Sequence, residues 1–238
     1  MGGLFITGTD TGVGKTIVTA IIAQAMRCRG LRVGVMKPIA TGGRWENGRL
    51  VSTDAEYLLK ALASEDDLEL INPICMELSL APLVAAELSG VELDLGRVWQ
   101  AYEILGARYE FLILEGIGGL MVPIKKGYLV ADLAKHFGLP LIIVARPGLG
   151  TINHTLLTIQ GARDYDLPIK GFIFSDSTEN ERGLAELTNA HIIEEITQVP
   201  FLGHIPFLGE DLTDKPAEKS YAISLSWDKI LPTHLIKA

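Results

Sequence analysis

A short apolar run, Leu4-Phe5-Ile6-Thr7, opens into Gly8-Thr9-Asp10-Thr11-Gly12-Val13-Gly14-Lys15-Thr16, and apolar residues at helical spacing continue to about Arg29. A strand, a glycine-rich turn and a helix beginning at Gly-Lys-Thr leave the chain few options. The glycines free backbone N–H groups to point inward, the helix start adds partial positive charge, and a lysine reaches outer phosphates. The threonine hydroxyl is suited to Mg²⁺. The usual pattern places four residues between its first glycine and the Gly-Lys pair, whereas five separate Gly8 from Gly14. An ordinary βα turn would need glycines but not Gly14-Lys15-Thr16 ahead of a helix. The loop is therefore read as a nucleotide-phosphate cradle.

The segments that follow keep the same rhythm. Leu31 to Met36 reads as a second strand stopped at Lys37-Pro38, because proline keeps the preceding residue out of helical geometry. Ile39 to Gly48 reads as a polar, glycine-rich loop, and Ser52-Thr53-Asp54 as a helix start. Asn72-Pro73 and Ala81-Pro82 interrupt the next stretch, with a short helix expected after Pro82, and Asp94 to Ala107 has helical spacing. Strands are expected at Phe111 to Leu114, Leu139 to Val144, Ile169 to Phe174 and Phe201 to Ile205, with helices from about Thr151 and from about Arg182 to Ile196. The polar stretch Glu210 to Ser220 reads as a loop or lid before a terminal Tyr221 to Leu231 segment. Strands apolar on both faces that alternate with helices predict an α/β fold of three layers, a mostly parallel sheet with helices on both faces. With no repeat or linker, residues 1–238 are expected to form a single domain.

A formal net charge of −8 argues against a nucleic-acid partner or a membrane surface, each of which would require a basic face. No apolar run approaches the roughly 20 residues of a span, and the chain enters its first strand at once, so a cytoplasmic protein is expected. Cys28 and Cys75 lack metal-ligand spacing and are expected to be reduced thiols.

In a parallel sheet, functional residues collect beyond the strand C-termini. The loop Gly8 to Thr16, Lys37 to Gly43, and Glu115 to Gly119 should therefore share one rim. Lys37 stands out. Two ammonium groups ~7 Å apart repel by about 2 kcal/mol at an effective dielectric near 20, so Lys37 beside Lys15 implies a polyanion between them. A triphosphate transferring its γ-phosphoryl group is one. Glu115 follows four apolar strand residues, where an acid has no packing role, and suits Mg²⁺ directly or through water. Asp54 fits equally an acid in a helix's first turn and a ligand. Thr11 and Thr41 are hydroxyls in glycine-containing loops at the same rim. Gly148 to Asn153 is a second glycine-preceded helix start, suited either to an anion or to a plain βα turn.

The segments Gly8 to Thr16, Lys37 to Gly42, Asp54, Asn72-Pro73, Glu115 to Gly119, Gly150 to His154 and Ile205-Pro206, in this order, resemble the dethiobiotin synthetase family, in which the wide glycine spacing is usual. The resemblance implies a P-loop NTPase fold with a sheet of about seven parallel strands. It implies a homodimer with its active site near the subunit interface, and ATP- and Mg²⁺-dependent closure of a ureido ring on 7,8-diaminononanoate and CO₂ (or bicarbonate). By position it assigns phosphates to Gly12, Val13, Gly14, Lys15, Thr16 and Ile17, and stabilisation of the transferring group to Lys37. It assigns Mg²⁺ to Thr16, Asp54 and Glu115, further nucleotide contacts to Gly116, Ile117 and Gly118, and the base end to Ser175, Asp176, His204, Ile205 and Pro206. Thr11 and Thr41 would meet the diamine, and Gly150, Thr151, Ile152 and Asn153 of the partner subunit its carboxylate. Competing readings are a regulatory P-loop switch of the partitioning type, whose extra early lysine is missing from Asp10-Thr11-Gly12, and a related ATP-dependent amidoligase, for whose glutaminase domain the chain has no room.

The family often has asparagine where Ser175 stands. A hydroxyl does not replace an amide that donates and accepts at once, so base selectivity is expected to be loose. The kcat/KM for ATP should exceed that for CTP by less than roughly a thousandfold, about 4 kcal/mol; a larger preference contradicts this.

Overall fold

The computed structural model describes residues 2–179, 183–208 and 225–231. Strand β1 (Gly2–Gly8) runs into the glycine loop and α1 (Lys15–Cys28), and β2 (Val33–Met36) ends at Lys37-Pro38. Then come β3 (Ile39–Thr41), β4 (Arg44–Glu46), β5 (Arg49–Val51), α2 (Thr53–Ala61), α3 (Leu68–Ile71), β6 (Ile74–Met76), α4 (Pro82–Ser89) and α5 (Leu95–Arg108). The second half holds β7 (Phe111–Gly119), β8 (Pro123–Lys125), β9 (Tyr128–Leu129), α6 (Val130–Phe137), β10 (Leu141–Ala145), α7 (Thr151–Asp164), β11 (Ile169–Ser175), α8 (Leu184–Thr197), β12 (Phe201–Ile205) and α9 (Trp227–Ile230). The expected lid, Glu210 to Ser220, and the first residues of the Tyr221 to Leu231 segment lie outside the described residues.

The central sheet has the order β12-β11-β10-β1-β7-β2, with every pairing parallel. Successive residues serve opposite faces, as the pleat requires. Leu4 and Ile6 join one apolar cluster with α1 residues Val18, Ile22 and Met26, while Phe5, Leu112 and Leu114 join another with Val98 and Leu105 of α5 and Leu133 of α6. This alternation places helices on both faces and gives the three layers expected. The sheet has six strands among the described residues, where about seven are expected, and β3 pairs with β6 as a separate parallel strip.

Three local readings change. The expected loop at Ile39 to Gly48 contains β3 and most of a hairpin, β4 with β5, turned by Asn47 and Gly48 at φ 49° and 80°. Two consecutive positive φ values are what an Asn-Gly two-residue turn supplies. The helix α6 and the β8–β9 hairpin also fall where no element was assigned. Finally, β7 continues past Leu114 to Gly119, so Glu115 lies inside a strand, opposite Ile6. Beyond that pair the register slips, since Gly8 faces Gly119. There Gly116 to Gly118 of β7 stand against the single Thr7 of β1 and bow out as a bulge, a device that re-aims side chains.

Ile113, fully buried between β1 and β2, tests the core. Ile113→Ala should lower unfolding free energy in urea by about 2–5 kcal/mol; a loss well below 1 kcal/mol contradicts the packing described.

Candidate functional site

The C-terminal ends of β1, β2, β7, β11 and β12 and the starts of α1 and α2 converge on a cavity of about 580 Å³. Gly12 and Gly14, at φ 74° and 89°, give the loop backbone angles that other residues resist. Gly14 has a second reason: a Cβ there would collide with Ser175 Oγ. Val18 N donates to Gly14 O at 3.0 Å, so α1 starts directly at the loop. Lys15 Nζ donates to Asp10 O at 2.9 Å, folding back across its own loop.

Lys37 is placed by backbone geometry on both sides. Its N–H donates to Ile71 O at 2.7 Å, and Asn72 Nδ2 donates to Lys37 O at 2.7 Å and to Ile74 O at 3.0 Å. The Asn72-Pro73 pair thus has a visible task, fixing the turn that carries Lys37. At its tip, Lys37 Nζ donates to Glu115 Oε1 at 2.5 Å and to Gly116 O at 3.2 Å, and lies 2.9 Å from Asp54 Oδ2. Thr16 Oγ1 donates to the same Glu115 oxygen at 2.9 Å. Asp54 arrives in the first turn of α2, capped by Ser52, whose Oγ accepts from Ala55 N at 3.3 Å.

These contacts revise one step of the sequence argument. Glu115 and Asp54 answer the charge of Lys37, so its nearness to Lys15 does not by itself require a polyanion. Burial opposes the Lys37 ammonium, yet the two carboxylates outweigh it and hold its pKa above the ordinary lysine value. Burial likewise opposes the Asp54 carboxylate, but Lys37, Lys15 and Thr16 keep it below the ordinary range. Burial pushes Glu115 up against the pull of Lys37. Lys15 shares no such pair: burial, then Lys37, lower it to about 8.

The cavity wall carries Gly12, Gly14, Lys15, Thr16 and Ile17 from the loop and helix start, and Lys37, Asp54 and Glu115 from the cluster. Ile117 and Gly118 reach it from the bulge, Thr11 and Thr41 from their loops, and Asp176 and Pro206 from the strand ends beyond β11 and β12. Other expected residues stand behind the wall. Val13 packs into the core, and Gly116 contributes its carbonyl to Lys37. Ser175 is buried beneath Gly14, His204 Nε2 lies 2.9 Å from Asp176 Oδ2, and Ile205 O accepts from Asp176 N at 3.0 Å.

Gly150 to Asn153 is not brought to this cavity. Gly150 takes φ 92° ahead of α7, Thr151 is buried with its Oγ1 3.4 Å from Thr155 Oγ1, Ile152 is half-buried and Asn153 is exposed. Ser79, Ser177 and Phe207 line the cavity without having been singled out. Ser79 arrives through Gly42 N and Gly43 N, which donate to Leu78 O and Met76 O. That link is made through tertiary pairing and leaves no local sequence signal.

Thr16, Asp54 and Glu115 form a set of hard oxygen donors, and Glu115 Oε2 is buried without a partner. Both features suit a hard cation such as Mg²⁺. Lys15, whose Nζ rests on the Asp10 carbonyl at the cavity wall, is suited to gripping a phosphate.

Comparison with known proteins agrees with this geometry. A family model described as an AAA domain matches residues 2–215. ATP-dependent dethiobiotin synthetase from Thermodesulfovibrio yellowstonii is 45% identical over 91% of this chain and 93% of its own length. The enzyme of that name from Methanocaldococcus jannaschii is 40% identical over 84% and 92%, and that from Nitrosopumilus maritimus 35% over 97% and 100%. Among solved structures, the MinC:MinD cell division complex of Aquifex aeolicus matches at TM-score 0.51 and 17% identity over 92% of this chain and 87% of that one. This last likeness concerns the fold alone.

A bound triphosphate should return Lys15 to its charged form. Since its pKa without ligand is about 8, calorimetry in buffers of different ionisation enthalpy should find net proton uptake on nucleotide binding at pH 8.5. Uptake should fade as pH falls to 7, where Lys15 is already protonated. Absence of uptake at pH 8.5 contradicts the assignment of Lys15.

Proposed function

The chain belongs to the ATP-dependent dethiobiotin synthetase family, and from that premise we propose how its residues divide the work of closing a ureido ring on 7,8-diaminononanoate. One amine takes up CO₂ as a carbamate. A carbamate oxygen attacks the γ-phosphorus of ATP, ADP leaves, and a carbamic-phosphoric anhydride forms. The second amine attacks its carbonyl carbon, phosphate departs with the carbamate oxygen, and dethiobiotin results.

The observation that carries this reading is the Lys37 ammonium, buried yet charged on the cavity wall that also holds the phosphate loop. A fixed positive charge aimed where the transferred phosphoryl group accumulates negative charge lowers the barrier without reorganising at the moment of reaction. Gly12 to Thr16 would cradle the phosphates, with Lys15 leaving Asp10 O to grip them. Thr16, Asp54 and Glu115 would hold Mg²⁺, which when bound neutralises phosphate charge. Thr11 and Thr41, on the wall beside Lys37, would orient the diamine.

The substrate's carboxylate is assigned to Gly150 to Asn153 of a second copy, which makes the working unit a homodimer. Two facts support this. The helix start is preorganised but off the cavity, and exposed Met121 and Leu157 border a second pocket together with His154 of the same helix. Base recognition falls to the cavity end beside Asp176 and Pro206. Among the described residues, no helix is long and apolar enough to cross a membrane.

Purified protein given diaminononanoate, labelled bicarbonate, Mg²⁺ and ATP should form labelled dethiobiotin in step with ADP; ATP hydrolysis without labelled product rejects the reading. Lys37→Ala should lower kcat by about a hundredfold or more while the KM for ATP changes by a few-fold. Unchanged turnover removes Lys37 from the chemistry.

A further inference from the structure

We propose that Arg49, Arg97 and Glu69 form a second anion site, outside the nucleotide cavity, that takes a small oxyanion still carrying a proton. The arginines of the chain are nearly all engaged. Arg32, Arg44, Arg108 and Arg146 pair with carboxylates, and Arg27, Arg29 and Arg163 donate to backbone carbonyls. Among the described residues, Arg49 and Arg97 are the two arginines whose side chains have no hydrogen bond or ion pair.

These two meet. Arg49 opens β5 and Arg97 lies in the first turn of α5, and both line one cavity of about 170 Å³ with Glu69 of α3. None of the residues lining it lines the nucleotide cavity. Sites for cofactors and drug-sized ligands run to roughly 300–1,000 Å³, so this one suits a single small ion. Asn72 also lines it, but its Nδ2 is already spent on Lys37 O and Ile74 O. The three charged side chains are left to hold an occupant, which would rest beside the residue that fixes the Lys37 turn.

Two guanidinium groups on one small cavity favour an anion there, and their planar forks suit the paired oxygens of an oxyanion. Glu69 shares the wall without forming a salt bridge to either arginine. A carboxylate only accepts hydrogen bonds. It therefore repels an anion that has lost every proton and bonds one that retains a hydroxyl. Hydrogen phosphate and bicarbonate keep that proton near neutral pH, whereas sulfate and nitrate, of matching shapes, have none. Both protonated ions belong to the proposed reaction, bicarbonate as carbon source and phosphate as product.

Calorimetric titration near neutral pH tests this, with Mg²⁺ and a non-hydrolysable ATP analogue filling the nucleotide cavity so that phosphate cannot enter there. One phosphate per chain should bind with a Kd on the order of 1 mM or tighter. Sulfate should bind at least about tenfold more weakly, the scale of one hydrogen bond to a charged group. Bicarbonate against nitrate is the second arm, and the protonated ion with the lower Kd is the occupant. Arg49→Gln and Arg97→Gln should each weaken that ion by about tenfold or more. Neither side chain has a partner to lose, so both variants should melt at the temperature of the unmodified protein. Glu69→Gln, whose amide donates as well as accepts, should bring phosphate and sulfate within about threefold of each other. Binding of neither protonated ion, equal affinity for each protonated ion and its unprotonated counterpart, or unchanged affinity in the folded arginine variants would overturn the assignment. Binding is read without turnover, so a protein that fails to make dethiobiotin refutes the synthetase reading while these affinities stay measurable.

Discussion

The ion pair between Lys37 and Glu115, both almost wholly withdrawn from water, is the contact on which the rest of the site depends. Removing one member of such a pair leaves an uncompensated buried charge and typically costs about 3–5 kcal/mol. The chain meets that demand by layering supports around it. Asp54 gives the ammonium a second carboxylate, Thr16 gives Glu115 a hydroxyl, and Asn72 fixes the turn beneath Lys37. Thr16 also ties the start of α1 to β7, so the phosphate loop and the cationic cluster are positioned by one network. A charge held this rigidly is suited to a transition state, because no side chain has to be ordered when the phosphoryl group moves.

The sheet order converts this network into a directional cavity. With β1 near the middle, the strands on one side deliver Lys37 and Glu115 and those on the other deliver Asp176 and Pro206. The bulge after Glu115 is the hinge of that arrangement. It lets Glu115 remain inside the sheet while Gly116 O reaches Lys37 and Ile117 and Gly118 turn to the cavity.

What the sequence disclosed was whatever depends on neighbours in the chain. The loop, the proline-stopped strand at Lys37 and the Ser52 cap are local patterns, and each stands where expected. Asn47-Gly48 is also a local signal, but its polar surroundings resemble a loop although the pair turns a hairpin. Glu115 was given the right neighbourhood and the wrong setting. Four apolar residues suggest a strand that ends, and only the register against β1 reveals that it continues through a bulge. Burial of Ser175 beneath Gly14, and the separation of Gly150 to Asn153 from the cavity, depend on contacts far apart in sequence that no spacing encodes.

The central claim is that a carbamate oxygen attacks the γ-phosphate held between the loop and Lys37. It is tested most directly by following that oxygen. With ¹⁸O-labelled CO₂, diaminononanoate and ATP, quenched before the label exchanges with water, the account predicts inorganic phosphate carrying one ¹⁸O atom, released together with dethiobiotin. Dethiobiotin formed alongside wholly unlabelled phosphate would contradict it, because the phosphoryl group would then never have been bonded to the carbamate.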